Sequence, residues 1–242
     1  MPRARADVDG VKERTRSWVL IALAVLLGVG VGVGAVVLTD RGGSNAVDQS
    51  SLADPSLTGL PPDHVANSIA FLNAWDRFRN GTFVVNLRFE RTVTGIEEPL
   101  VSGGILVQQP PRRIVRAFGN ESSVFADGAQ TCEIGADSSS LCTAAQQTEP
   151  YDVQVAEELS VLSQYFSGDT PLYRVEAPSP GCFRLFLYRA MPLPPYGDAA
   201  QFCFDSATGA MTLFETSTAG GTDRATSLNI STTVTDADFS RS

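Results

Sequence analysis

The sequence predicts an α+β domain, an antiparallel sheet with its helices segregated from the strands, carried behind one transmembrane helix. Three observations predict it. Residues 18–38, WVLIALAVLLGVGVGVGAVVL, hold no charged side chain. Beyond them, apolar residues recur at helical spacing in only two stretches, PPDHVANSIAFLNAWDRFRNG and YDVQVAEELSVLSQYFSG. The remaining apolar runs alternate or are short and bounded by turn residues. The order is helix, several strands, helix, several strands, which argues for a meandering sheet and against a doubly wound dinucleotide fold.

The chain divides accordingly. Residues 1–17 read as a cytoplasmic tail, 18–38 as the membrane span, 39–60 as a linker and 61–242 as a folded extracytoplasmic domain. As a helix the uncharged run reaches about 31 Å, the thickness of a bilayer's hydrocarbon core. Arg3, Arg5, Lys12, Arg14 and Arg16 precede it, and Asp40 and Arg41 follow it. That asymmetry keeps the N-terminus in the cytoplasm and places the rest outside a cell membrane. A cleaved signal peptide is the alternative, with SNA at 44–46 as a small-residue cleavage site, but the apolar run exceeds the usual signal core. Gly28, Gly30, Gly32 and Gly34 contain G-x-x-x-G pairs, which read more simply as small residues of a lipid-facing helix than as a dimer face. The linker, DRGGSNAVDQSSLADPSLTGL, has the Gly, Ser, Asp and Pro content of a tether.

Within the domain, Asp63 is placed to cap the first helix, and Val65, Ile69, Leu72 and Trp75, with Phe78 nearby, form its expected buried stripe. Asn80-Gly81 ends it. In TFVVNLRFERTV, Phe83, Val85, Leu87 and Phe89 share one face of a strand, while Asn86, Arg88 and Glu90 share the other. GGILVQQPPRRIVRAFGN reads as two strands broken at Pro110-Pro111, and SVFADGAQTCEI as a hairpin around Asp127-Gly128. The second helix carries Val155, Leu159, Leu162 and Phe166 on one stripe and stops at Gly168. Strands resume in LYRVEA, CFRLFLYRA, QFCFD, AMTLFETS and SLNISTTVTDADF, with DSATG as a turn between two of them.

All four cysteines, Cys132, Cys142, Cys182 and Cys203, follow the uncharged run, and none stands in a C-x-x-C pair. An even count in an oxidising compartment points to disulfides rather than a metal site. Three pairings are possible. The local ones are expected, Cys132 with Cys142 across a turn and Cys182 with Cys203 across a proline loop.

With this order of elements the chain resembles the bacterial lipoprotein-carrier group, the outer-membrane lipoprotein sorting carriers and the related mycobacterial lipid-binding lipoproteins. The resemblance runs through RNGTFVVNLRFERT, SGGILVQQPPRRIVRAFG, FADG, the mid-chain helix and FDSATGAMTLFETST, and covers most of residues 62–239. It implies a strongly curved antiparallel sheet forming an unclosed half barrel, with helices on its concave side and an apolar cavity between them for acyl chains. The chain departs from that group in carrying an uncharged run and no lipidated cysteine, so it reads as anchored rather than shuttling.

On that reading Leu72, Trp75, Phe83, Val85, Leu87, Phe89, Leu159, Leu162, Phe183, Leu185 and Leu187 line a cavity for a lipid or other hydrophobic ligand. The competing reading is a closed core, with the domain serving as an envelope sensor or a module that binds an envelope protein. No catalytic residues, metal site or cofactor are expected. His64 is the sole histidine and opens a helix, no G-x-S-x-G elbow exists, and the adjacent acids Glu97-Glu98 and Glu157-Glu158 point apart. The formal net charge of −9 argues against a nucleic-acid partner. Arg112, Arg113 and Arg116 form the one basic group of the domain. They read as solvent-side strand residues, or as contacts to a lipid headgroup at a cavity mouth.

Overall fold

The computed structural model describes residues 59–126, 128–135 and 139–240. The tail, the uncharged run and nearly all of the linker lie outside the described residues, as does Asp127. Among the described residues no helix is long and apolar enough to cross a membrane.

Two helices, α1 (His64–Asn80) and α2 (Tyr151–Phe166), accompany one antiparallel sheet. Its strands are β1 (Phe83–Val93), β2 (Leu100–Gln109), β3 (Arg112–Ala117), β4 (Asn120–Phe125), β5 (Gly128–Ile134), β6 (Ser140–Cys142), β7 (Tyr173–Ser179), β8 (Cys182–Leu187), β9 (Ala199–Phe204), β10 (Met211–Thr218) and β11 (Gly221–Ser231). They lie in the order β6-β5-β4-β3-β2-β1-β11-β10-β9-β8-β7, so the sheet is unclosed, with β6 and β7 at its edges, as in a half barrel. Each strand pairs with its sequence neighbour except at the centre, where β1 meets β11. Pro110-Pro111, joined by a cis bond, fill the β2–β3 turn, where two missing N–H groups leave no ladder bond unmade. A 3-10 turn, Asp236–Phe239, follows β11.

The expected alternation sorts the sheet into two faces. Val85 pairs with Leu106 and Leu106 with Val115, while Leu185 pairs with Ala200 and Val175. These residues belong to one buried apolar cluster on the inner face, beneath the helices. Gly104 is required there, because a Cβ would meet the Arg116 carbonyl at 2.4 Å and the Phe89 ring at 2.5 Å. The outer face holds a smaller cluster of Val107, Ile114 and Phe239, where the C-terminal segment folds back. Arg112 lies over the Phe239 ring at 4.2 Å and bonds Asp236, and Arg116 bonds the buried Glu121 at 2.7 Å.

Both expected disulfides are present, Cys132–Cys142 and Cys182–Cys203. Each joins directly paired residues of neighbouring strands. Phe183 and Phe202, next to the second pair, point inward, so that bridge lies on the outer face.

Two details of α1 correct the sequence reading. The buried stripe is His64, Ser68, Phe71, Ala74, Trp75, Phe78 and Arg79, whereas Val65 is 67 % and Ile69 55 % exposed. Asp63 makes no side-chain cap. The helix is turned from the apolar stripe because three phenylalanine- and tryptophan-sized rings outweigh two aliphatic side chains in burial. In α2 the expected stripe is found, with Val155, Leu162 and Phe166 buried and Leu159 half-buried.

The bridges close loops of different length, 21 residues for Cys182–Cys203 and 10 for Cys132–Cys142. In a urea titration, Cys182→Ala with Cys203→Ala should cost about 3 kcal/mol of unfolding free energy, and the other double variant somewhat less.

Candidate functional site

The eleven residues expected to line a cavity occupy one place. Trp75, Phe83, Val85, Leu87, Phe89, Leu162, Phe183 and Leu185 are buried in the inner cluster, and Leu72, Leu159 and Leu187 pack half-buried against it. Alternation in β1 and β8 and the stripe of α2 deliver them. Aromatic rings from α1 set the density of the cluster. Phe71 stands 5.4 Å from Phe183 and 5.3 Å from Phe202 in edge-to-face geometry, and Trp75 is 5.7 Å from Phe202. The helices approach each other and the edge strand β7 most closely.

Beside this apolar interior lies a buried polar cluster. Arg79, from the last turn of α1, meets Glu158 of α2 at 3.1 Å. The Trp75 indole N–H donates to the other oxygen of Glu158 at 3.3 Å. The Arg113 guanidinium, projecting inward from β3, lies 5.3 Å from the centre of the Phe78 ring, and that of Arg79 lies 5.2 Å from the centre of Tyr151. Gln108 of β2 turns its amide N–H groups to the carbonyls of Phe78, Arg79 and Gly81, so a strand side chain satisfies the end of α1. The Tyr151 hydroxyl also donates to the Arg79 carbonyl.

Burial dominates the electrostatics. Arg113 is pulled down from its ordinary value to about 9, first by desolvation and then by the neighbouring Arg79 cation. Desolvation raises Glu158, against the opposing pull of Arg79, Arg113 and the Trp75 hydrogen bond. The sequence reading set Arg113 with Arg112 and Arg116 on the solvent side. The structure corrects this: Arg112 and Arg116 take the outer face, and Arg113 is fully buried on the inner one. The signal was in the strand itself, since Arg113 alternates with Arg112 and keeps step with Val115.

His64 is committed to structure. Its Nδ1 accepts the Val175 N–H at 3.1 Å, and its Nε2 lies 2.9 Å from the Phe166 carbonyl, so the donating hydrogen sits on Nε2. The ring therefore ties the start of α1 to the end of α2 and to β7. A histidine with both nitrogens on backbone groups is not available as a general base. Burial raises the phenols of Tyr173 and Tyr196, and the Tyr173 hydroxyl accepts from the Tyr196 N–H while donating to the Gly197 carbonyl. The arrangement offers a packed apolar interior with a buried charged cluster beside it, and among the described residues no assembled acid-base pair.

Neither a protein-family model nor a curated protein sequence matches the chain. Similar solved structures include the Pseudomonas aeruginosa MucA/MucB complex, at 12% identity and a TM-score of 0.43, with 73% of this chain and 61% of that one covered. This chain thus spans about three fifths of the matched one. A LolA superfamily protein from Nitrosomonas europaea is similar at 9% identity and a TM-score of 0.31, covering 72% of this chain and 97% of that one. LprF from Mycobacterium bovis is similar at 10% identity and a TM-score of 0.34, covering 74% and 97%. The LolA superfamily protein is of the lipoprotein-carrier kind that the sequence resembles.

The depressed Arg113 gives a pH test. A cation whose folded value lies below its unfolded one costs stability wherever both states are charged, and that cost is relieved as pH rises through the folded value. Relative to Arg113→Met, the parent protein should therefore gain about 1 kcal/mol of unfolding free energy between pH 8 and pH 10. Equal pH profiles for the two proteins, measured by urea titration, would place the guanidinium in solvent.

Proposed function

We propose that the protein is a membrane-anchored, extracytoplasmic, non-catalytic binder of a lipid or similar amphiphile. The ligand's apolar chain would lie between the helices and the inner face of β1–β4 and β8. One observation carries the reading: the apolar inner face of an open sheet is covered not by a second sheet but by two helices that meet it most closely at an edge strand. Such a cover is able to swing without breaking a β ladder. The ligand would displace Leu72 and Leu159, the half-buried residues of the two helices, and each methylene so buried contributes about 0.8 kcal/mol. Arg113 and Arg79, both buried beside this interior, would suit an acidic headgroup once the helices are displaced. The anchor is residues 18–38, whose cationic flank sets the orientation.

The dense aromatic packing around Phe71 favours a second reading, a closed core whose domain binds an envelope protein. The two diverge at Leu87, which is 6 % exposed. A binder purified from its membrane should release lipid into organic extract, detected by mass spectrometry. Leu87→Arg should then abolish the bound lipid while the circular dichroism spectrum persists, because the arginine reaches solvent along the ligand path. If the parent never carries lipid and the variant unfolds, at the several kcal/mol of a buried charge, the interaction module is the correct reading.

The anchor has its own test. Carbonate washing should leave the full chain in the membrane fraction. Release of a shortened chain beginning near Val47 would show a cleaved signal segment instead.

A further inference from the structure

The outward face of α1 is built backwards for a helix in water. Its first two turns expose Val65, Ala66, Ile69 and Ala70. At the same time they bury His64 and Ser68, whose polar atoms need partners. His64 holds the helix in this rotation by bonding Phe166 and Val175, while the Ser68 hydroxyl is satisfied within the helix, donating to the His64 carbonyl at 2.8 Å. Asn67 adds a bond to the Val175 carbonyl. The apolar face is therefore fixed outward by three hydrogen bonds to other elements rather than left there by weak packing.

The face also changes along the helix. From His64 to Trp75 there is no charged residue, and then Asp76 and Arg77 appear, both exposed, with exposed Asn80 after them. The apolar half is the end where the chain enters the domain. Gly59 is the first described residue, and the uncharged run ends at Leu38.

We propose that the Val65–Ala70 face of α1 rests on the outer surface of the bilayer that holds residues 18–38, with the Asp76 end of the helix turned toward water. This rests on the anchor reading above. The polarity gradient matches an element that crosses from the lipid boundary into solvent, and its apolar end is the one joined to the linker. A short linker supplies an effective concentration in the millimolar range, so a small contact suffices. A second copy of the chain is the poorer occupant, since two aliphatic side chains and two alanines fall far short of the roughly 1,200 Å² that a stable interface buries.

The test uses the full chain, purified and reconstituted into vesicles of phosphatidylethanolamine and phosphatidylglycerol. A photoreactive residue is introduced as Ile69→p-benzoylphenylalanine, with Arg77→p-benzoylphenylalanine and Leu228→p-benzoylphenylalanine as controls. Arg77 lies two turns further along the helix, and Leu228 is 67 % exposed on β11. On illumination, lipid adducts at position 69 should exceed those at either control by at least five-fold. Adducts joining two protein chains at position 69, or lipid labelling no greater than at the controls, would overturn the proposal. Carbonate washing of the same vesicles separates the two ideas. A chain that is washed out refutes the anchor and the docked face together, whereas a retained chain without lipid adducts at 69 refutes the docked face alone.

Discussion

An open sheet with one apolar face has no way to bury that face by itself, and everything else in this domain follows from how the problem is met. The solution is the ring cluster of α1. Phe71, Trp75 and Phe78 stand over β8 and β9, and the edge-to-face contacts of Phe71 and Trp75 with Phe183, Phe202 and Phe204, with Phe78 tilted against Phe204, fix the height of the helix above the sheet. α2 then packs on α1 and completes the cover. Several of the polar groups that this geometry forces inside find partners locally: Gln108 bonds the last carbonyls of α1, Glu158 takes Arg79 and the Trp75 N–H, and His64 joins three elements at the other end. Burial of such groups is tolerated only with partners of this kind.

The outer face solves the same problem with less material. The C-terminal segment lays Phe239 over Ile114 and brings Asp236 to Arg112, while the two disulfides hold neighbouring strands together near the ends of the two meanders. On the proposed reading the domain lies outside the reducing cytoplasm, where such bridges persist.

Much of this was legible in the sequence, for physical reasons that differ by element. Strand faces were read from period-two alternation, and β1 and β8 place Phe83, Val85, Leu87, Phe89, Phe183 and Leu185 inward as expected. The disulfides followed from short spacing. α1 was legible as a helix but not in its rotation, because Val65 and Ile69 lie close enough in angle to Leu72 and Trp75 to mimic a buried stripe. What decides the rotation is tertiary: the rings of Phe71 and Phe78, and the distant Val175 and Phe166 groups that await His64. Arg113 reads as a solvent-side residue because a basic triplet suggests solvent, and its charged neighbours Arg79 and Glu158 come from helices far away in sequence. Pairings of that kind leave no local trace.

The single non-sequential pairing, β1 with β11, has a consequence for how the chain reaches this state. Residues 83–142 and 173–231 are each a meander whose strands pair with their sequence neighbours, which is fast. Joining the two halves requires the first strand and the last to meet, with Val85 opposite Ile230, after nearly the whole domain has been made. On a translating ribosome the N-terminal meander exists first, with β1 as an unfilled edge carrying alternating valine, leucine and phenylalanine. Such an edge invites pairing with other chains. The nascent half-domain is thus the aggregation-prone species of this protein, and its vulnerability ends only when β11 arrives to fill the central place.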